Sequence, residues 1–297
     1  MKTTFEEIQI FTAIADSGSI TKAADQLGQT LSSLSRSLGR LEKKLGVSLF
    51  RRTTRRLDLT EEGEQFLMHA RDIMSRIEMA EDLMRDKGNA PSGVIRLDSA
   101  SPFVLHAIVP YIQEFTALYP AIQLELHSNE RVIDLLEKRI DVAFRIGKLE
   151  DSTMKATFLG ASRRRLLASP EYLKKHGNPK TAEELSQHRL LGFTAPKELN
   201  LWPIKDDRGQ FLAQNLFVAA SSGETLLQLV KAGAGIACLA DFMTGPERSS
   251  GELVQVMKSQ TLEIKEEIHA VYYKNIGPSQ RASLFVKFLK NKLRHQL

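Results

Sequence analysis

Cysteine is nearly absent from this chain of 297 residues, since Cys238 is the only one. A single thiol cannot form an intramolecular disulfide, and such usage is typical of proteins in a reducing compartment. Because Cys238 lies in the apolar run Gly235–Leu239, we interpret it as a small core residue, with a reactive thiol as the alternative.

Long hydrophobic runs and a signal peptide are also missing. No stretch reaches the ~18 consecutive apolar residues of a membrane-spanning helix. The first residues include Glu6 and Glu7, where a secretory signal needs a basic and then an apolar segment. We therefore expect a cytoplasmic protein with no membrane partner.

Familiar catalytic motifs are missing too. The chain has no P-loop, no GxGxxG after a strand and no GxSxG elbow, and its seven histidines are scattered without metal-ligand spacing. These absences argue against an enzyme, so no catalytic residue, metal or cofactor is expected. A small-molecule-converting α/β enzyme stays an alternative, because the α/β architecture predicted below hosts many kinds of chemistry.

Net charge is small, but basic residues are concentrated in one place. The whole chain carries +5, and residues 1–88 contain fourteen Lys or Arg and fourteen Asp or Glu. Residues 30–56 alone hold eight basic residues against one acid, Glu42, a net charge of +7. Such concentration is typical of a surface that binds phosphates.

Three short helices are predicted, two before this basic stretch and one within it. Apolar residues at helical spacing predict the first helix at Phe5–Ala15. Ser19 or Thr21 is expected to cap the second, and the third, Leu31–Leu45, places four leucines on one face. Small alanines in the second helix allow close packing of the third, so the pattern predicts a helix-turn-helix.

Residues Val47–Leu59 predict a short hairpin with a basic tip, a wing beside the helices. Four arginines at one tip repel one another unless a polyanion is near, although a solvated basic loop is the alternative. Hydroxyls and arginines on the exposed face of the third helix suit the major groove of DNA. The candidate DNA-binding residues are Ser19, Thr21, Thr30, Ser32, Ser33, Ser35, Arg36, Arg40, Arg51, Arg52, Arg55 and Arg56.

A long helix is predicted from its cap, Thr60, to about Asp86. Apolar residues recur along it at spacings of three and four, which is typical of a coiled-coil seam. We favour dimerisation through this seam because two-fold DNA readers need two heads at fixed spacing; packing on its own domain is the alternative. The seam residues are Phe66, Ala70, Ile73, Ile77, Ala80 and Met84.

After a linker at residues 87–93, strands alternate with helices, which predicts two α/β units with parallel strands. The first comprises strands Val94–Leu97, Ile122–Leu126 and Asp141–Ile146 and helices Phe103–Tyr119 and Glu130–Arg139. The second comprises strands Leu166–Ala168, Leu190–Phe193, Phe217–Ala219 and Ile236–Leu239 and helices Thr181–Gln187 and Gly223–Ala232. Strand Val271–Tyr273 and a final helix from Ser279 to about Leu293 close the chain.

Polar residues follow the strands of both units. Two α/β lobes normally hold a ligand between them, at the carboxyl ends of strands and the N-termini of helices. A hydroxyl at a helix start is also an ordinary cap, so the convergence on strand ends is what favours a ligand site. The candidate effector-binding residues are Ser99, Ser101, Ser128, Arg145, Phe193, Thr194, Ser221 and Ser222.

A set of motifs runs through the whole chain. The N-terminal ones are Phe11, Gly18–Leu27, Leu34–Arg36, Leu41–Glu42, Leu45–Val47, Leu49–Thr53 and Leu59–Gly63, and the later ones are Pro110, Phe115–Pro120, Asp141–Arg145 and Gly233–Ile236. With them the chain resembles the LysR-type transcriptional regulators over essentially its full length. It departs from the pattern at Leu31-Ser32, where many members have Gln-Pro. The family's glutamine base contact therefore cannot be carried over.

The resemblance implies a multi-domain fold: an N-terminal all-α winged helix-turn-helix, a linker helix, and a C-terminal α/β effector domain of two lobes, similar to periplasmic binding proteins. The expected domains are residues 1–60, which bind DNA, 61–88, the linker and dimerisation helix, and 89–297, the effector-binding domain. Within the last, lobe I is expected to comprise residues 94–161 and 268–297, and lobe II residues 162–267.

The implied function is sequence-specific regulation of transcription in response to a small-molecule effector in the cleft between the lobes. The implied partners are double-stranded DNA at a promoter inverted repeat and further copies of the chain in a homodimer or homotetramer. RNA polymerase is a further candidate partner. A solute-binding protein with an accessory basic module and a non-specific DNA-packaging protein are the alternatives.

Overall fold

The computed structural model describes residues 2–52, 57–85, 91–135, 138–149, 154–207, 209–273 and 278–294. The chain divides into two compact units, Met1–Asn89 with Leu136–Arg139, and Ala90–Leu135 with Ile140–Leu297. We call them the N-terminal and C-terminal units. In the described part of the chain, no helix is both long enough and apolar enough to span a bilayer.

The N-terminal unit contains the predicted helices and the predicted wing. Its elements are α1 (Phe5–Ser17), α2 (Ile20–Leu27), α3 (Leu31–Leu45), β1 (Phe50–Arg52), β2 (Leu57–Leu59) and α4 (Glu61–Arg85). Thr4, Ser19 and Thr30 cap the first three helices, each accepting a hydrogen bond from the backbone N–H three residues on. Gly18 and Gly28 end the first two in the left-handed conformation that glycine adopts at least cost.

The leucines of α3 form the centre of this unit's core. Leu34, Leu38 and Leu41 are all at most 1% exposed. They pack in one cluster with Phe11, whose ring centroid lies 5.4 Å from that of Phe50 and 5.1 Å from that of Phe66. The core therefore joins α3 to the wing and to the start of α4, so the three elements hold one another in place.

The C-terminal unit is an α/β domain. Its elements are β3 (Gly93–Ser99), α5 (Ser101–Phe103), a π-helical turn (Val104–Ile108), α6 (Val109–Leu118), β4 (Ile122–Ser128), β5 (Val142–Ile146), β6 (Met154–Ala168), α7 (Pro170–His176), α8 (Ala182–Ser186), β7 (Leu190–Phe193), β8 (Leu201–Asp206), β9 (Gly209–Leu212), β10 (Val218–Ala220), α9 (Gly223–Lys231), β11 (Ile236–Ala240), α10 (Gly245–Ser250), β12 (Val254–Gln255), β13 (Lys265–Tyr273) and α11 (Gln280–Leu293).

Nine of the strands described in this unit form one sheet. Its order is β10-β7-β11-β6-β13-β5-β3-β4, with β12 beside β6. Strands β3, β4 and β5 are parallel, and so are β7, β10 and β11, as the two predicted units require. We call the half around β3, β4 and β5 lobe I and the half around β7, β10 and β11 lobe II. Strand β6 pairs with β13 along its first part and with β11 and β12 near its end.

The helix predicted at Glu130–Arg139 is wrong for the residues that the structure describes there. Residues 130–131 form a bend, residues 132–134 have no regular structure, and residues 135, 138 and 139 form turns, while residues 136–137 lie outside the described part. Arg139 has a φ of 53°, a left-handed conformation that cannot continue a right-handed helix. Leu135 and Ile140 instead pack with Val271 in a small hydrophobic cluster.

Two further features were missed in lobe II. The predicted strand Leu166–Ala168 is the end of the 15-residue strand β6, and the hairpin of β8 and β9 was not predicted.

Cys238 is a core residue as predicted, and burial raises the pKa of its thiol to about 12. The protonated thiol that results is a poor nucleophile.

A close approach of α4 to the hairpin generates a stability prediction. A Cβ at Gly63 would lie 2.1 Å from the carbonyl oxygen of Leu49, so α4 or the hairpin would have to move. We expect Gly63→Ala to lower the free energy of unfolding of the N-terminal unit by about 3 kcal/mol or more, measured by urea denaturation. In the control, Gly39→Ala in α3, no atom beyond the adjacent backbone of the same helix lies within 4 Å of the new methyl group. That change is expected to stabilise by roughly 0.5–1 kcal/mol, and equal stability of the two variants would contradict the packing described.

Candidate nucleic-acid interface and effector site

The outer face of α3 carries the hydroxyls and guanidinium groups that the sequence predicted. Ser32, Arg36 and Arg40 are exposed, and Ser33 and Ser35 are half-buried. The Nε of Arg36 donates to the main-chain oxygen of Ser32 at 3.1 Å, which holds this side chain along the first turns of the helix. A rigid helix with short hydroxyls and an arginine near its N-terminus has the geometry of a major-groove reader.

Ser19 and Thr30 are helix caps, and Thr21 is exposed on α2. The Oγ of Ser19 accepts from the backbone N–H of Lys22 at 3.4 Å. The Oγ1 of Thr30 accepts from the N–H of Ser33 at 3.2 Å and lies at the same distance from the Oγ of Ser32. A capping hydroxyl still has a proton to donate, so a cap can also contact a phosphate.

The basic stretch is partly neutralised within its own unit. The Nζ of Lys44 lies 2.8 Å from the carboxylate of Glu7, whose side chain is only 4% exposed. Glu42, the one acid of the stretch, accepts from the backbone N–H of Leu49 at 2.8 Å and so fixes the start of the wing. Sequence reasoning missed both roles, although the motif Leu41–Glu42 pointed to Glu42.

The wing places Arg51 on the surface. The side chain of Arg52 and the whole of Arg55 and Arg56 lie outside the described residues. Their assignment to DNA contact stays a prediction.

Helix α4 packs the first part of its apolar seam on its own unit, and dimerisation through the rest stays a prediction. Ala70 is fully buried and Phe66 packs beside it in the core of the N-terminal unit, so these two do not form an exposed seam. Beyond them, Ile73 and Met84 are 39% and 63% exposed, and Ile77 is half-buried. The candidates for dimerisation therefore narrow to Ile73, Ile77, Ala80 and Met84.

In lobe I, polar groups meet where the parallel strands end. Asp98 is fully buried and accepts a hydrogen bond from Asn129. Arg145 on β5 donates from Nη1 to Asp98 Oδ2 at 2.8 Å. The Nη2 of Arg145 is buried and has no hydrogen-bond partner among the described residues. Ser128, exposed at the end of β4, lies opposite Ser99 in the strand register.

Two of the predicted serines in lobe I already have partners. Ser99 is 1% exposed, and its Oγ donates to the carbonyl oxygen of Phe144 at 3.1 Å. It therefore joins β3 to β5, and we remove it from the candidate ligand contacts. The Oγ of Ser101 donates to Glu130 Oε1 at 2.6 Å, which ties the start of α5 to the loop after β4.

In lobe II, the candidates again lie at strand ends. The N–H of Thr194 donates to the carbonyl oxygen of Ala220 at 3.0 Å, which brings the ends of β7 and β10 together. Thr194 and Ser221 are exposed. Ser222 caps α9 by accepting from the N–H of Glu224 at 3.2 Å.

The two sets of strand ends converge at Gly223. A Cβ at Gly223 would lie 3.1 Å from Pro102 Cγ in lobe I and 3.7 Å from Phe193 Cζ in lobe II. The rings of Phe103 and Phe242 meet edge to face beside them, with 5.5 Å between centroids. Phe193 itself and the residues next to Ser101 and Ser222 therefore meet at one junction within the C-terminal unit.

A polar bridge also crosses this junction, and sequence reasoning missed it. The Nε2 of His106 in lobe I lies 2.7 Å from Glu224 Oε2 in lobe II. His106 belongs to the π-helical turn Val104–Ile108. Pro110 has no N–H to donate to the carbonyl four residues earlier, which is that of His106, so the helix widens there. Pro110, a proline within a helical pattern, was the one feature of the sequence that indicated this irregular turn.

The bridge generates a pH prediction. Burial opposes ionisation of Glu224, but the hydrogen bonds from His106 and Gln228 and the charges of His106 and Lys231 outweigh it, so the pKa of Glu224 lies below its ordinary 4.5. A depressed carboxyl pKa stabilises the folded state above the unfolded pKa, and this contribution is lost as the pH falls through the folded pKa. We expect the C-terminal unit of the wild type to resist urea better than Glu224→Gln at neutral pH, with the difference shrinking below pH 4.5. The exposed control Glu198→Gln should show no such trend; a difference independent of pH would contradict the assignment.

Comparison with known proteins agrees with this architecture. The model of the LysR substrate binding domain matches residues 88–294, and that of the bacterial regulatory helix-turn-helix protein, lysR family, matches residues 5–64. The HTH-type transcriptional regulator CrgA of Neisseria meningitidis serogroup C (strain 8013) is 43% identical over 297 residues, 100% of this chain and 99% of that protein.

Solved structures give the same result. CrgA from Neisseria meningitidis superposes with a TM-score of 0.67 at 42% identity, covering 99% of this chain and 100% of that one. The full-length virulence activator AphB of Vibrio cholerae superposes with a TM-score of 0.60 at 28% identity, covering 97% of this chain and 99% of that one. The chain therefore belongs to the LysR family of helix-turn-helix transcriptional regulators.

Proposed function

We propose that this regulator reads an inverted repeat at a promoter through α3 and the wing, with Arg36 and the serines Ser33 and Ser35 facing the bases. The observation that supports it best is the exposed hydroxyl and guanidinium face of α3, on a helix whose other face fills the core. Arg40 and Arg51 supply phosphate contacts, which give affinity without sequence preference.

We further propose that a small-molecule effector binds at the junction of the two lobes, bordered by Ser128, Arg145, Thr194 and Ser221. The buried, unpartnered Nη2 of Arg145 supports a polar or anionic ligand, because an unsatisfied donor is costly and a ligand oxygen would satisfy it. The chain carries out no catalysis in this proposal. It acts in the cytoplasm, and RNA polymerase stays a candidate partner.

The domain boundaries follow from the same proposal. Residues 1–60 bind DNA, residues 61–88 link and dimerise, and residues 89–297 bind the effector. Lobe I takes residues 94–161 and 268–297, and lobe II takes residues 162–267, with assembly into homodimers or homotetramers.

Genome-wide mapping of binding sites tests the proposal directly. Discrete peaks that share one inverted repeat support a specific regulator, and the neighbouring genes indicate the class of effector. Smeared occupancy without a shared sequence would instead indicate non-specific DNA packaging.

Two arginine variants distinguish base recognition from phosphate contact. On the mapped site, Arg36→Ala is expected to weaken binding by ~1–3 kcal/mol and to relax base preference, because a base contact is lost. Arg51→Ala should weaken binding to all sequences alike and reduce the salt dependence by about one phosphate contact. Fluorescence anisotropy with specific and scrambled duplexes measures both, and unchanged specific affinity for Arg36→Ala would rule out its role.

The exposed part of the α4 seam predicts an effect on assembly. Ile77→Asp is expected to lower the molar mass in solution, because an interface between two α4 helices would bury the new charge. The matched control is Met68→Asp, which puts the same charge on α4 at a position that is 47% exposed and outside the seam. Light scattering measures the mass of each variant. If both retain the wild-type mass, α4 does not dimerise through this seam.

A further inference from the structure

Lobe II contains a basic pocket that is separate from the junction described above. The pocket encloses about 400 Å³ and is lined by Arg163, Arg164, Arg165, Arg248, Gln255, Lys258, Thr261, Leu262 and Glu263. Its five cationic side chains come from β6, α10 and the 3-10 turn Lys258–Gln260. A cavity of this size matches the sites that take small molecules.

Two of the guanidinium groups are fixed in the wall. Arg164 donates to the carbonyl oxygens of Leu199 and Leu201, both at 2.9 Å. Arg165 forms a two-pronged pair with Asp241 and also donates to Gln255 Oε1 at 2.8 Å. These positive charges need no reorganisation when an anion arrives, and their side chains are only 11% and 20% exposed.

The other cations at the pocket are weakly held. Arg163 pairs with Glu263, but the two side chains are 41% and 68% exposed, so this pair contributes little to stability. Arg248 lies 3.3 Å from Asp241, a carboxylate that it shares with Arg165. In the described part of the chain, no carboxylate lies within ion-pair distance of Lys258. These side chains can therefore turn to a ligand at little cost.

The charges in and behind the pocket do not balance. Five cations line it, and the carboxylates that pair with them are Glu263, Asp241 and Glu266, which leaves an excess of two positive charges. In addition, Lys265 lies directly opposite Arg163 in the strand register. Like charges at opposed positions destabilise a sheet, and a bound anion would relieve this repulsion.

We propose that this pocket binds a small polyanion of the phosphate class, at a site distinct from the effector site at the lobe junction. Guanidinium groups recognise phosphate oxygens in pairs, and a dianion would match the charge excess of two. Thr261 adds a hydroxyl to the lining. A phosphate of the DNA backbone fits less well than a small molecule, because two of the guanidinium groups lie in a concave wall and are mostly buried.

Calorimetric titration of the full-length protein with inorganic pyrophosphate at low ionic strength tests the proposal. The pocket variant is Arg163→Gln with Lys258→Gln, which removes the two cations that contribute least to the fold. We expect saturable binding to the wild type and at least about tenfold weaker binding to the pocket variant. Pyrophosphate should also raise the melting temperature of the wild type, and raise that of the pocket variant less at the same concentration.

The control variant, Lys174→Gln with Lys205→Gln, removes the same charge from exposed positions of lobe II outside the pocket. It should bind pyrophosphate within about twofold of the wild type, because neither side chain lines the pocket. Absence of saturable binding, or an equal loss in both variants, would overturn the proposal. So would a pocket variant that loses affinity for a random duplex while binding pyrophosphate normally.

A parallel titration with fructose 1,6-bisphosphate distinguishes an organic phosphate ligand from inorganic phosphate. Tighter binding than pyrophosphate, lost in the pocket variant, identifies an organic phosphate as the ligand class. Weaker binding, with pyrophosphate binding retained, identifies the phosphate groups alone. Because these readouts use neither operator DNA nor the lobe junction, their failure leaves the proposed function untouched.

Discussion

Strands β6 and β13 hold the two lobes of the C-terminal unit together. Strand β6 pairs with β13 over most of its length and with β11 and β12 near its end, so these strands join the two halves of the sheet. The register shifts between Ile268 and His269 on β13, an irregularity that increases local twist. Any movement of one lobe against the other must therefore bend or twist this pair.

This constraint explains why the side chains at the junction matter. Phe103 and Phe242 pack across it, and His106 and Glu224 also bridge it. A ligand that binds among these groups would act on both lobes, so it could shift their arrangement through its difference in affinity for each one. A free energy of a few kcal/mol suffices for such a shift.

The features that the sequence predicted well are local. The cap at Ser19 and the leucine periodicity of α3 depend on residues three or four apart, so they can be seen without a fold. The pairs that were missed join distant residues: Glu7 with Lys44, 37 positions apart, and His106 with Glu224, 118 positions apart. Such partners follow from the packing of whole elements, which periodicity does not encode.

The wrong helix at Glu130–Arg139 has the same origin. The local pattern of apolar and polar residues there favours a helix. In the structure, however, Leu135 and Ile140 are buried against a strand from the far end of the chain. Tertiary burial overrode local propensity there, and Arg139 adopted a left-handed conformation. For Arg145, adjacency of β3 and β5 was needed before Asp98 could be recognised as its partner.

The basic pocket lies where the shared strand changes partners. Arg163 on β6 is opposite Lys265 of β13, and the next residue, Arg164, is opposite Ala240 of β11. The repulsion between Arg163 and Lys265 therefore acts at the point where the sheet passes from one lobe to the other. An anion that neutralises these charges would stabilise the pairing of β6 with β13 there. The pocket and the lobe junction would then act on the same two strands, one through charge and the other through contacts between side chains.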